Sequence, residues 1–543
     1  MPSTSSRTVV VATTLLGLLI ALPLIGLSAS LFAPGAGASW SHLAETGLPG
    51  YARSSAVLAL FVAMGAAIVG AGTAWLTAAY RFPGSRLWSW ALVLPLAVPS
   101  YVIAYAYTDL LQFAGPVQSW IRATWDLRAR EYWFPDIRSL GGAAVVFTLV
   151  LAPYVYLPVR AAFAEMPASL GEAARLAGVR PLLAFLKVEL PLAWPALAAG
   201  LALVVMETLA DFGAVSYFAV DTFTVGIYKA WLGLGDRTAA AQLALVLLGF
   251  VVVLVVIERV VRGARRFSVR GTTAPRRVRP LRGWHAWAAT MVCALPVALG
   301  FVLPVVVLAQ LAWRDVEAHA WSRFAAMVGA SLQVSIAAAV ITVGVALALT
   351  YAVRLTRSPW LNGISGFAAF GYAVPGAVLA IGILIPLARF DNVLATALEL
   401  HFGVNPGLLL TGSVAALLYA YVVRFLAVGL NNVQSGFARI TPHMDEAARS
   451  LGCGPWSLLR RVHVPLLARS LAVAALLVFV DALKELPATL ALRPFNFDTL
   501  ATQAYNFAKD ERLGEAALPS LVIVAVALLP VLLTTRALAS RRT

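Results

Sequence analysis

Residues Glu172 to Leu192 read EAARLAGVRPLLAFLKVELPL, and Glu446 to Leu466 read EAARSLGCGPWSLLRRVHVPL. The offset is 446 − 172 = 274 at Glu172/Glu446, Ala173/Ala447, Ala174/Ala448, Gly178/Gly452 and Pro191/Pro465, without a gap. Self-similarity at one fixed offset marks a repeated architecture. Each segment is too polar to lie in lipid and too patterned for a plain loop. Ser169 with Glu172 three residues later has the form of a capping box. Thr441 followed by Pro442 offers an N-cap and a first helical position instead. A short helix should then run to Gly178 or Gly452, where glycine can take the left-handed conformation that closes a helix. A second short helix should begin near Pro181 or Pro455 and stop before Pro191 or Pro465. The expected shape is a helix–turn–helix knob, made twice, with paired alanines small enough to admit another backbone.

What surrounds the knobs is apolar. The 543 residues are 61% hydrophobic and 12% charged, against about 45–50% and 25% in soluble domains. That surplus cannot be hidden in a water-soluble core, so a soluble enzyme is excluded and a polytopic membrane protein is expected. About 20 apolar residues cross a bilayer as a helix. Runs of that kind lie near 9–33, 55–80, 88–113, 141–163, 193–217 and 240–261, and again near 286–312, 329–353, 363–388, 407–430, 467–491 and 516–538. The first run follows Arg7 and is longer than a signal-peptide core, so it reads as a retained span. The runs are continuous rather than alternating, which excludes a β-barrel. The fold class is therefore all-α, with about twelve transmembrane helices in two homologous six-helix halves. The first repeat is placed at 1–262 (core about 55–262), a basic linker at 263–285, and the second repeat at 286–543 (core about 329–538). Upstream, AVPS at Ala97–Ser100 answers AVPG at Ala373–Gly376. With equal span parity, the halves should be related by a pseudo-two-fold axis along the membrane normal.

Orientation follows from arginine. Arg262, Arg265, Arg266, Arg270, Arg276, Arg277, Arg279 and Arg282 occur with no acid among them between the sixth and seventh runs. Arg81 and Arg86, Arg354 and Arg357, and the C-terminal Arg536, Arg541 and Arg542 fall on the same side by parity. Both termini and both knobs are thus expected in the cytoplasm of a bacterial inner-membrane protein. The net charge of 41 − 25 = +16 is assigned to this bias rather than to nucleic acid. Cys293 and Cys453 form no metal or disulfide pattern.

The pattern EAA, three residues, Gly, nine residues, aliphatic, any, aliphatic, Pro resembles the EAA loop of ABC-importer permeases of the MetI-like type, and both copies fit its spacing. In that family the loop is a coupling helix that docks into a groove on the ATPase subunit. The resemblance implies this role for Glu172, Ala173, Ala174 and Gly178, and for Glu446, Ala447, Ala448 and Gly452. A phosphate-binding loop needs GxxxxGK[ST], and none of the lysines Lys187, Lys229, Lys484 and Lys509 follows a glycine. Hydrolysis is therefore assigned to a separate cytoplasmic ATPase, two copies expected, which carries the ATP and Mg. No catalytic residue, tightly bound metal or cofactor is expected in this chain.

Ionisable groups inside spans cost about 2.5–3.5 kcal/mol on insertion scales, so they require a reason. Glu207 and Asp211 lie four apart on the fifth run, and Asp481 and Glu485 repeat this on the eleventh, beside Lys484. The spacing places each pair on one helical face. The four are candidates for a substrate pathway suited to a hard cation, or else for a structural network with Lys484. The stretches ETLADFGAVSYFAVDTFTVGIYKAWLGLGDRTAA (Glu207–Ala240) and LVFVDALKELPATLALRPFNFDTLATQAY (Leu477–Tyr505) resemble the fused permeases of ferric-iron importers. That resemblance covers nearly the whole chain and implies an extracytoplasmic binding protein that delivers Fe(III). A thiamine permease, also fused, is the alternative within the class. A secondary transporter with 6+6 spans is the alternative outside it, but would leave the duplicated knob unexplained.

Overall fold

The structure is a computed structural model that describes residues 4–32, 36–128, 131–167, 176–264, 278–315 and 321–539. Among these, the chain is helical almost throughout, with one parallel two-residue pairing of Tyr80–Arg81 and Arg279–Pro280. Ten helices among the described residues are long and apolar enough to cross a membrane. Two further candidates are bent pairs, so the count reaches twelve if each pair is one span. Helices satisfy every backbone group internally, which is what lipid demands.

The bends follow from residues legible in the sequence. The third expected span is not one helix: Ser85–Ala97 and Ser100–Trp125 meet at 91°. The break falls on the AVPS motif, where Val98 is extended (φ −98, ψ 119) and Pro99 follows with ψ 144. A proline disfavours the helical conformation of the residue before it. Its carbonyl still accepts from Val102 N at 3.0 Å and so starts the next helix. The ninth expected span breaks the same way at AVPG. Pro359–Ala368 tightens through a 3-10 turn at Ala369–Ala373, Val374 is extended, and Pro375 opens the Gly376–Phe402 helix. The repeated AVP is a repeated helix break.

The second prolines act differently from expectation. Neither Pro191 nor Pro465 stops a helix. Each sits just behind a π-turn, Phe185–Glu189 in the first repeat and Leu459–His463 in the second, again 274 residues apart. Proline lacks an N–H and its ring clashes with the carbonyl four residues earlier. The wider turn relieves that clash, with Leu190 N donating to Phe185 O and Val464 N to Leu459 O. In the second repeat the helix continues as one candidate span, Pro455–Leu483. In the first, Pro181–Leu192 and Trp194–Ala210 meet at 77°.

Packing divides the chain into two compact units that do not follow the sequence halves. One unit holds 1–43, 227–248 and 320–503, and the other holds 44–226, 249–319 and 504–543. The first span thus belongs with the core of the second repeat. In that unit Thr4–Ser30 lies on Gly376–Phe402, where a Cβ at Gly26 would stand 2.8 Å from the carbonyl of Gly382. Trp321–Thr356, Val414–Phe437 and Val464–Leu483 form its core around Ala338, Leu417, Ala420, Tyr421 and Val478. In the other unit Leu48–Ala79 packs on Leu140–Glu165, and a Cβ at Gly70 would meet the Ala152 carbonyl at 2.7 Å. Lipid tails are as apolar as leucine, so helices associate through close backbone approach at small residues.

Candidate functional site

The second knob is built as its sequence suggests. Thr441 is the N-cap of Pro442–Ser450, with Pro442 at the first position. The helix closes at Gly452, whose φ is +83. Gly452 N donates to Arg449 O at 2.9 Å and Cys453 N to Ala448 O at 3.0 Å, the paired bonds of a Schellman cap. Nothing lies within 4 Å of a Cβ placed on Gly452. The glycine is therefore needed for its backbone angle rather than for space. Glu446 is exposed beside His443, at 3.3 Å. Ala447 is exposed, but Ala448 is buried, so only one of the two alanines faces outward. Leu451 (85% exposed) and Trp456 (72%) add an apolar rim.

In the first knob, Glu172, Ala173 and Ala174 lie outside the described residues. Gly178 has φ +72 with nothing within 4 Å of its Cβ. Leu176 is 91% exposed, and Pro181 begins the next helical segment.

The second knob is anchored by residues that the spacing pattern did not single out. Asp445, one residue before the EAA, is buried. Its Oδ2 accepts from Arg354 Nε at 2.8 Å, and its Oδ1 lies 2.8 Å from Nε2 of the fully buried His463. Burial alone would raise this carboxyl, but hydrogen bonds from Arg354 and His463 outweigh it and hold Asp445 below its usual range. Arg354 also donates to the carbonyls of Phe437 (3.2 Å) and Ile440 (2.9 Å). The rings of Tyr351 and Phe437 meet His463 edge-on at 5.5 and 5.2 Å. Arg354 and Asp445 are 91 residues apart, beyond any local periodicity.

The acidic pairs stand differently from the shared helical face that their spacing suggests. Trp194–Ala210 ends one residue before Asp211, and Val464–Leu483 ends two residues before Glu485. Each carboxylate then caps the next short helix. Asp211 Oδ1 accepts from Ala214 N at 2.9 Å and Val215 N at 3.3 Å, and Oδ2 accepts from the Ser100 hydroxyl. Glu485 Oε1 accepts from Ala488 N and Oε2 from Thr489 N, both at 3.1 Å. A carboxylate at a helix start satisfies N–H groups that have no partner inside the helix.

The residue after each AVP completes this arrangement. Ser100 reaches Asp211 in one unit. In the other, a Cβ on Gly376 would stand 2.6 Å from Glu485 Oε1 and 2.7 Å from Arg424 Nη1. Glycine there makes room for a longer acid and for the guanidinium, whose Nε is 3.9 Å from Glu485. Lys484 pairs with Asp481 at 2.9 Å, while Glu207 is half-buried. The acids of the second repeat are thus matched by cations.

The family model described as the binding-protein-dependent transport system inner membrane component matches twice, at residues 66–266 and 341–542. The Fe(3+)-transport system permease protein FbpB 2 of Haemophilus influenzae is 26% identical over 484 residues, 88% of each chain. The probable ABC transporter permease protein y4fN of Sinorhizobium fredii is 26% identical over 445 residues, 77% of this chain and 74% of its own. The sulfate transport system permease protein CysT of Escherichia coli is 33% identical over 146 residues, 27% of this chain and 50% of its own. Two family matches, each enclosing one EAA segment, the π-turn that follows it and one capped acidic break, mean that the chain belongs to the binding-protein-dependent transport system inner membrane components, as a MetI-like ABC-importer permease with both repeats in one polypeptide.

Proposed function

We propose that this chain is the membrane-spanning subunit of an importer for ferric iron. The observation that carries the iron reading is the extent of the match to the FbpB 2 permease, which runs through both repeats. Relatives named for sulfate or 2-aminoethylphosphonate align over 27–39% of this chain. A binding protein delivers the ion outside. A separate ABC ATPase, in two copies, supplies ATP, Mg and work at the cytoplasmic face, and both termini lie on that face, as the arginine bias suggests.

The coupling residues are Glu172, Ala173, Ala174 and Gly178 in one repeat and Glu446, Ala447, Ala448 and Gly452 in the other. The exposure of Glu446, Ala447 and Leu451 supports a docked partner there. Closure of the ATPase dimer on ATP moves the knobs, and the spans rock between outward and inward access. Glu207, Asp211, Asp481 and Glu485 border the ion's path. Glu207 and Asp481 act by charge, and Asp211 and Glu485 act through the helices they cap. No bond is made or broken in this chain.

The test is uptake of radiolabelled Fe(III) by cells with and without this chain, challenged with excess sulfate, 2-aminoethylphosphonate or thiamine. Iron uptake that requires the chain and resists all three competitors is expected. Uptake of a competitor in place of iron would refute the cargo and leave the permease class standing.

A further inference from the structure

The second knob is not merely attached to the spans by its chain ends. A nine-residue helix has little stability of its own, so its orientation must come from tertiary contacts. Asp445 and Arg354 supply them at one point. Arg354 stands in the last turn of Trp321–Thr356. Its guanidinium reaches the carbonyl of Phe437, where Val414–Phe437 ends, and that of Ile440 just before the knob. Asp445 in the knob's first turn takes Arg354 on one oxygen and His463 on the other. His463 closes the π-turn that leads into Val464–Leu483. One ion pair and one imidazole therefore tie the knob to three spans. A partly buried ion pair is weak evidence for stability but can fix a single arrangement.

In the first repeat, 274 positions before Asp445 and His463, stand Gly171 and Glu189, of which Gly171 lies outside the described residues. The π-turn of the first repeat carries ring contacts, with Phe185 against Trp75 at 4.7 Å and Phe163 at 6.0 Å.

We infer that Arg354, Asp445 and His463 are positioning residues that lock the second knob to its spans, so that knob and spans move as one rigid lever. The inference rests on the coupling role proposed above. A knob that could turn about its two chain ends would absorb the ATPase's movement. A knob fixed to three spans passes it on. The face opposite Asp445, with His443, Glu446, Ala447 and Leu451 exposed, stays free for the partner.

The test uses spin labels at Ser450 on the knob and Arg469 on the Val464–Leu483 helix, both exposed, in the full chain with its ATPase and binding protein in nanodiscs. The wild type should give one narrow distance distribution, with or without ATP. Arg354→Met should broaden it, and Arg354→Lys should restore most of it. In proteoliposomes, Arg354→Met should retain the ATPase while Fe(III) uptake per ATP hydrolysed falls about tenfold, because energy reaches the spans only through differential contact with their two states. An equally narrow distribution in Arg354→Met overturns the inference. So does a broad one with unchanged uptake per ATP, or loss of the ATPase, which would assign the trio to docking or folding. A wild-type chain that recruits no ATPase would instead refute the coupling role, while the distances still test the lock.

Discussion

Replacing Glu485 by glutamine separates a helix-capping role from a charge that an ion meets in passing. Glu485 is 5% exposed. Its two oxygens serve the Ala488 and Thr489 N–H groups at 3.1 Å each, and the Thr489 hydroxyl lies 2.9 Å from Oε2. Glutamine has one carbonyl oxygen, so it can accept on only one side. On the other, its amide nitrogen brings two donors against a backbone donor. Losing one hydrogen bond to a charged group costs about 1.5–3 kcal/mol, and leaving a buried donor unpaired costs about 1–3 kcal/mol more. Arg424 also loses its negative neighbour. The sum is about 3–6 kcal/mol. At roughly 2–4 °C per kcal/mol for domains of about 150–250 residues, the melting temperature should fall on the order of 10 °C. A tryptophan-fluorescence melt of the purified protein in detergent reads this, beside uptake per folded molecule in proteoliposomes. Glu485→Gln should lose stability first and uptake only in proportion to folded protein. An unchanged melting temperature with uptake abolished would refute the capping argument and make Glu485 a charge on the ion's path.

Gly178→Asp combined with Gly452→Asp should leave the chain in the membrane but abolish co-purification of the ATPase. The left-handed angle costs a non-glycine residue about 1–2 kcal/mol at each site, and the new carboxylate falls on the face proposed for docking. Retention of the partner in a pull-down would count against the docking assignment. The Asp445 contacts carry a pH signature. Its carboxyl titrates below the ordinary value of 3.8 when folded, so its contribution is fully present above that value and is lost as the pH falls through the folded one. The melting-temperature advantage of wild type over Asp445→Asn should therefore persist from about pH 8 to 5 and close only below about 3.8. An advantage that closed between pH 7 and 6 would show that the Asp445 carboxylate is not what sustains it.

The sequence by itself determined the membrane class, the duplication and the shape of the second knob. Those depend on local properties. A bilayer requires long apolar helices, so hydropathy counts them. Gly178 and Gly452 mark helix ends because only glycine takes positive φ at little cost. The repeated AVP marks a helix break in each repeat, since proline restricts its predecessor whatever surrounds it. Tertiary structure decided the rest. Asp211 and Glu485 sit four residues from partner acids and still leave the helix, because the N–H groups ahead of them draw the carboxylates into caps. The first span joins the second repeat's core because Gly26 and Gly382 allow close approach there. Arg354, Asp445 and His463 come together across 91 and 18 residues. Their meeting depends on how three helices end beside one another, and no periodicity in the chain records that.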